Sequence, residues 1–164
     1  MSDTDPETTH MDTLSAYALT VATASNRNEI CKAAEHAAVM TMGHSLFTVM
    51  AFDRERMEVE RFYTSDPENY PAGGRKKKRD TDWGQFVLLD GQTYIGANDE
   101  DIRRNFDDHE IIAGLGLCSV INIPIKRMGV TIGTMNLLDT TAHYDERDAC
   151  MGAIIAMGLV SAIQ

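Results

Sequence analysis

Cysteine is scarce in this chain. Cys31, Cys118 and Cys150 are odd in number and far apart, so no disulfide framework or zinc-type spacing is present and a reducing compartment is expected, with the cytoplasm as its natural form. Basic charge is also in deficit: 15 Lys and Arg stand against 25 Asp and Glu, a formal net charge of −10. An acidic surface repels nucleic acid and anionic membranes, so neither is expected as a direct partner. The longest uncharged run, Ala149 to Gln164, contains Gly152, Gly158 and Ser161 and falls short of the ~20 apolar residues that span a bilayer. The first dozen residues are polar and acidic, the reverse of a secretion signal. Gly73-Gly74 is not followed by Gly-Lys-Ser/Thr, His109-Glu110 lacks a second histidine, and no nucleophile elbow occurs. These gaps remove the common phosphate-loop, zinc-protease and serine-hydrolase signatures.

What the sequence does have is a core. Hydrophobic residues make up 43% of 164, enough for one domain. Residues 1–11 are expected to form a disordered tail and residues 12–164 a single domain. Leu14, Tyr17, Ala18 and Val21 repeat at helical spacing. Asn26 followed by Glu29 resembles a capping box, opening a helix with Ile30, Ala33, Ala34 and Ala37 on one stripe. Leu46 to Phe52 is apolar on both faces, as in a central strand. From Met57 the chain alternates, Met57 and Val59 inward, Glu58 and Glu60 outward.

Residues 65–81 read as an irregular loop, broken at Asp66-Pro67, Tyr70-Pro71 and Gly73-Gly74. The loop ends in Arg75-Lys76-Lys77-Lys78-Arg79, five of the 15 basic residues. That run is either a solvated loop or a flexible lid over an anion. Thr81 or Asp82 caps a helix through Trp83 and Phe86 that closes near Gly91, and Thr93 to Ile95 is a short strand. Asp99-Glu100-Asp101 then suits a helix start.

The stretch from Asp107 to Leu138 organises the rest. Ile111, Ile112 and Leu115 predict a short helix ended by Gly114 and Gly116. Ser119 to Ile125 and Val130 to Leu138 are β-branched strands around a Lys126-Arg127-Met128-Gly129 loop, an antiparallel hairpin. A three-residue loop would place Asn122 and Asn136 on one face; a two-residue loop would separate them.

In its Leu115-Gly116 turn, Pro124-Ile125 strand end and Ile132-Gly133-Thr134-Met135-Asn136-Leu137 strand, this stretch resembles the closing half of a GAF domain, a small sensory module. The resemblance implies an α+β fold: an antiparallel central sheet of five to six strands, with the N- and C-terminal helices on one face. On the other face it implies a ligand pocket beneath inserted helices and loops. The candidate ligand residues are Tyr70, Arg75, Lys77, Trp83, Phe86, His109, Asn122 and Asn136. Covalent bilin attachment is excluded at the usual site, because Asp108 stands where the resemblance requires a cysteine before the histidine. No cofactor is expected.

The reading is therefore a non-catalytic small-molecule sensor for a small, possibly anionic ligand. Its rivals are a cysteine redox enzyme of the free methionine sulfoxide reductase type and a ligand-free dimerisation module. No cysteine lies between Asp53 and Leu117, where that reductase class carries its reactive thiols. A homodimer is expected through Leu14, Tyr17, Val21, Met151, Ile155 and Leu159, because the last helix is apolar nearly all round.

Overall fold

The computed structural model describes residues 6–164. The first helix, α1 (Pro6–Thr23), starts earlier than the periodicity indicates: residues 6–11 of the expected tail are helical, and residues 1–5 lie outside the described residues. Helix α2 (Arg27–Thr41) begins at Asn26, whose side chain accepts from the Glu29 amide while Glu29 reaches back to the Ser25 amide. Six strands follow, β1 (Leu46–Asp53), β2 (Glu58–Thr64), β3 (Arg75–Lys77), β4 (Tyr94–Gly96), β5 (Ser119–Arg127) and β6 (Val130–Asp139). They form one antiparallel sheet in the order β3-β2-β1-β6-β5-β4. A π-helical segment (Gly84–Leu89) and two short helices, α3 (Asp99–Asn105) and α4 (His109–Gly114), sit between β3 and β5. Helix α5 (Glu146–Gly158) opens with a full capping box from Asp145 and Asp148 and runs into a 3₁₀ turn (Leu159–Ala162).

Helices α1, α2 and α5 cover one face of the sheet. Phe47 and Val49 of β1, Ile121, Ile123 and Ile125 of β5, and Met135 and Leu137 of β6 pack there against Ala34, Ala37, Ala38 and Ile155. The alanines let α2 lie close to the strands. Gly152 does the same for α5: a Cβ at that position would collide with Ile123 Cδ1. Tyr17 of α1 donates its hydroxyl to the Ile155 carbonyl at 2.7 Å.

Two bulges set which side chains reach the other face. In the β5–β6 hairpin the loop has only two residues, Met128 and Gly129, both at positive φ (51° and 82°), the requirement of a type I′ turn. Such a loop alone would separate Asn122 and Asn136. An extra residue in β6, Ile132, shifts the register between Lys126↔Thr131 and Ile125↔Gly133, and Asn122 pairs directly with Asn136. In β2 the extra residue is Phe62, since Val49 pairs with Tyr63 and Met50 with Arg61. A bulge re-aims side chains by one position. Phe62 and Tyr63 both join the helical core, and Arg61 stays on the opposite face.

The first three residues of the basic run form a strand, β3, rather than a flexible lid. Arg75, Lys76 and Lys77 pair with Glu60, Val59 and Glu58 of β2.

Candidate functional site

The face of the sheet away from the long helices encloses a small cavity. Its floor is Thr48 and Met50 of β1, Arg61 of β2, Asn122 of β5, and Asn136 and Leu138 of β6. Its roof is Tyr70, Lys76, Lys78, Trp83, Phe106 and Ile112. About 30 Å³ of free space remains inside, room for roughly one or two waters. Anything larger has to part the roof, whose pieces are short: the 65–74 connection, the edge strand β3 with the link from Lys78 to Trp83, α3 and α4.

A polar ladder crosses the floor. Trp83 Nε1 donates to Asn122 Oδ1 at 3.0 Å, Asn122 Nδ2 to Asn136 Oδ1 at 2.8 Å, and Asn136 Nδ2 to Thr48 Oγ1 at 3.2 Å. All four residues are buried. Every bond runs in one direction, so each amide keeps a second N–H and the Thr48 hydroxyl keeps its proton. The free groups at the floor are donors.

The roof carries the charge. Strand alternation points Arg75 and Lys77 outward and turns Lys76 and Lys78 inward. Lys76 Nζ meets Asp108 Oδ2 at 2.5 Å, and Arg61 Nη2 meets the same oxygen at 3.4 Å. Tyr70 donates its hydroxyl there too, and the Arg61 guanidinium lies over the Tyr70 ring, 3.6 Å from its centroid. Burial pushes the Asp108 carboxyl up, but the bonds from Lys76 and Tyr70 outweigh this and hold it below its ordinary value. Burial, with the Asp108 charge behind it, raises the Tyr70 phenol.

Lys78 is different. It is 5% exposed. Its ammonium lies 5.3 Å from the Trp83 ring centroid and has no hydrogen-bond acceptor and no ion-pair partner among the described residues. Burial lowers its pKa; the more distant charges of Asp107 and Asp108 oppose that and that of Lys76 adds to it. A buried cation is normally paired, because leaving water costs several kcal/mol. Two fully buried atoms of the charged cluster have no partner, Arg61 Nε and Asp108 Oδ1.

Four of the eight residues proposed from the sequence line this cavity: Tyr70, Trp83, Asn122 and Asn136. Four do not. Arg75 is on the outer surface, paired with Glu60 at 3.0 Å, and Lys77 is exposed beside it. Phe86 is 43% exposed and faces an outer groove with Tyr94 and Arg104. His109 lies outside the lining, while its neighbour Asp108 reaches the cluster instead. Asp108 stands just before α4 but makes no side-chain cap there; its carboxylate is spent on Lys76, Arg61 and Tyr70. Arg61 was missed although its signal was legible: the inward alternation of Met57 and Val59 continues to it.

None of the cysteines lines the cavity. Cys31 is buried under α2, where burial raises its thiol pKa to about 12. Cys118, just before β5, bonds the Thr140 carbonyl, and Cys150 is exposed on α5.

No family model and no curated protein matches this sequence. Solved structures do match the fold. The GAF domain of a phosphoenolpyruvate-protein phosphotransferase from Coxiella burnetii superposes with a TM-score of 0.78 at 15% identity, over 97% of this chain and 94% of that one. The free methionine-R-sulfoxide reductase of Neisseria meningitidis, solved with its substrate, gives 0.74 at 18% identity, over 99% and 92%. The chromophore-binding domain of a bacteriophytochrome from R. palustris gives 0.70 at 12% identity, over 92% and 60%. At such identities the likeness is one of fold, and the fold is that of GAF domains.

Proposed function

From a GAF fold with a cation-lined cavity, we propose that this chain is a sensory module that binds a small anionic molecule between the sheet and the β3–α4 roof, without transforming it. The observation that carries the reading is Lys78: a cation 5% exposed, at the cavity wall, with no anion to meet. An incoming anion would supply the missing partner. The donors left over on Asn122, Asn136 and Thr48 favour an oxygen-rich head group at the same floor. Signalling follows from position. The roof that must part for a ligand is built from the short α3 and α4, and ligand contact there shifts the population of roof conformations that a partner can read.

A cysteine-based reduction is the weaker reading. It needs a thiol beside the bound substrate, and none of Cys31, Cys118 and Cys150 lines the cavity.

The test is equilibrium dialysis of the protein against a mixture of small metabolites, with mass spectrometry of what is retained. The wild type should enrich an anion, and Lys78→Met should not. Retention of nothing, or of the same molecule by both, would remove the proposal.

A further inference from the structure

The cavity also specifies what kind of anion fits, given the binding role proposed above. Three cations reach it, Arg61, Lys76 and Lys78. Two of them are already held by a single carboxylate oxygen, Asp108 Oδ2. One cation is left. The walls beside it are apolar, made by Met50, Phe106, Ile112 and Leu138. The amide N–H and hydroxyl donors at the floor are free, while the Asn122, Asn136 and Thr48 oxygens each already accept one bond. A head group there has to accept hydrogen bonds and bring one negative charge.

We infer that the occupant is a small organic monoanion, a carboxylate on an apolar body, and that Asp108 is the residue that sets this charge. A phosphate ester brings up to two negative charges near neutral pH and needs a second cation. Arg61 and Lys76 can supply it only by leaving Asp108, which would strand that carboxylate in a buried site. An amine meets like charge at Lys78, and a neutral amide leaves Lys78 unpaired. Asp108 thus acts as a built-in counterion that excludes dianions.

Trp83 is the only tryptophan, and its indole is bonded into the floor, so its emission reports on the cavity. The experiment titrates the full chain with matched series on butyl, phenyl and benzyl bodies, each as carboxylate, primary amide, amine and phosphate ester. Calorimetry serves as a second readout, because substitution at Lys78 itself changes the indole environment. On at least one body the carboxylate is expected to saturate, with the phosphate, amide and amine at least tenfold weaker. Lys78→Met should weaken the carboxylate at least tenfold, and Lys78→Gln serves if the Met variant does not fold. Asp108→Asn should close most of the gap between phosphate and carboxylate by freeing Arg61 and Lys76. Phosphates that bind the wild type as tightly as carboxylates would overturn the inference, as would a carboxylate indifferent to Lys78. A phosphate that wins in a Lys78-dependent way sinks the monocarboxylate assignment and leaves anion binding standing, whereas an amide or amine that wins sinks both. No saturable change with any head group sinks both.

Discussion

Asn122 and Asn136 face each other across β5 and β6, with the amide of the first donating to the carbonyl oxygen of the second at 2.8 Å. They meet because Ile132 is an extra residue in β6. The pair also holds Trp83 at one end and Thr48 at the other. Asn122→Leu would leave the Trp83 indole N–H and the Asn136 oxygen without their protein partner in a buried site. Unsatisfied buried groups cost about 1–3 kcal/mol each, so a loss of about 2–6 kcal/mol is expected. Urea unfolding should show a lower midpoint with an unchanged slope; a midpoint equal to the wild type would contradict the ladder.

The parity of β3 separates two pairs of lysines and arginines. Arg75 and Glu60 form an exposed pair, 59% and 42% exposed at the side chain, and such pairs contribute about 0–1 kcal/mol. Arg75→Gln with Lys77→Gln should therefore leave thermal stability and carboxylate binding nearly unchanged. Lys76→Gln removes a charged bond to the buried Asp108 and should cost about 1–2 kcal/mol. Thermal denaturation of the two variants side by side decides whether the inward face is the one described.

Acid should act through Asp108. Its folded pKa lies below the ordinary 3.8, so its bonds stabilise the fold above the unfolded value and lose that effect as pH falls through the lowered folded value. Asp108→Asn should be less stable than the wild type at neutral pH, and the difference should shrink below about pH 4. Urea midpoints across pH 2–7 measure this. A gap that stays constant down to pH 2 would show that the carboxylate charge is not what stabilises the cluster.

Pairing of two copies needs a different face from the one indicated by the sequence. Tyr17, Ile155 and Leu159 are buried in the chain's own core, while Leu14, Val21 and Met151 are half-buried against it. The apolar groups left outward on the same helices are Met11 and Leu19 on α1 and Ile154 and Met157 on α5, the last 75% exposed. We propose that a homodimer forms through these groups, because they are the large apolar side chains that α1 and α5 leave exposed. Met157→Asp should reduce the dimer without loss of stability. Leu159→Ala should cost about 2–5 kcal/mol as a core truncation. Light scattering that finds the wild type a clean monomer of 18.2 kDa would defeat the assembly.

Much of the fold was legible because its signals are local. Asn26 with Glu29, the hairpin around Gly129 and the β-branched strands each state their own structure, and the helical and sheet periods agree with the observed faces. The site was half legible. Trp83, Tyr70 and the asparagines stood out as polar or aromatic groups in apolar company. Lys76 and Lys78, rather than the Arg75 and Lys77 named from the sequence, face the cavity; a run of like charges has no hydrophobic pattern to fix its parity. Only pairing with Glu58 and Glu60 does that. Asp108 was read against the bilin-attachment pattern, and its bonds to Lys76, Arg61 and Tyr70 span 32 to 47 positions, beyond any local signal. The Ile132 bulge compensates for the two-residue turn, a cancellation that loop length alone does not reveal.

The central claim is that Lys78 marks a binding site for a small anion. Native mass spectrometry of the wild type, purified without denaturant and then incubated with a mixture of small carboxylates, tests it beside Lys78→Met. The expected wild-type spectrum contains a species heavier than the 18.2 kDa chain by the mass of one carboxylate, and the variant shows the bare chain alone. Bare chain in both samples, or the same adduct in both, would contradict the claim.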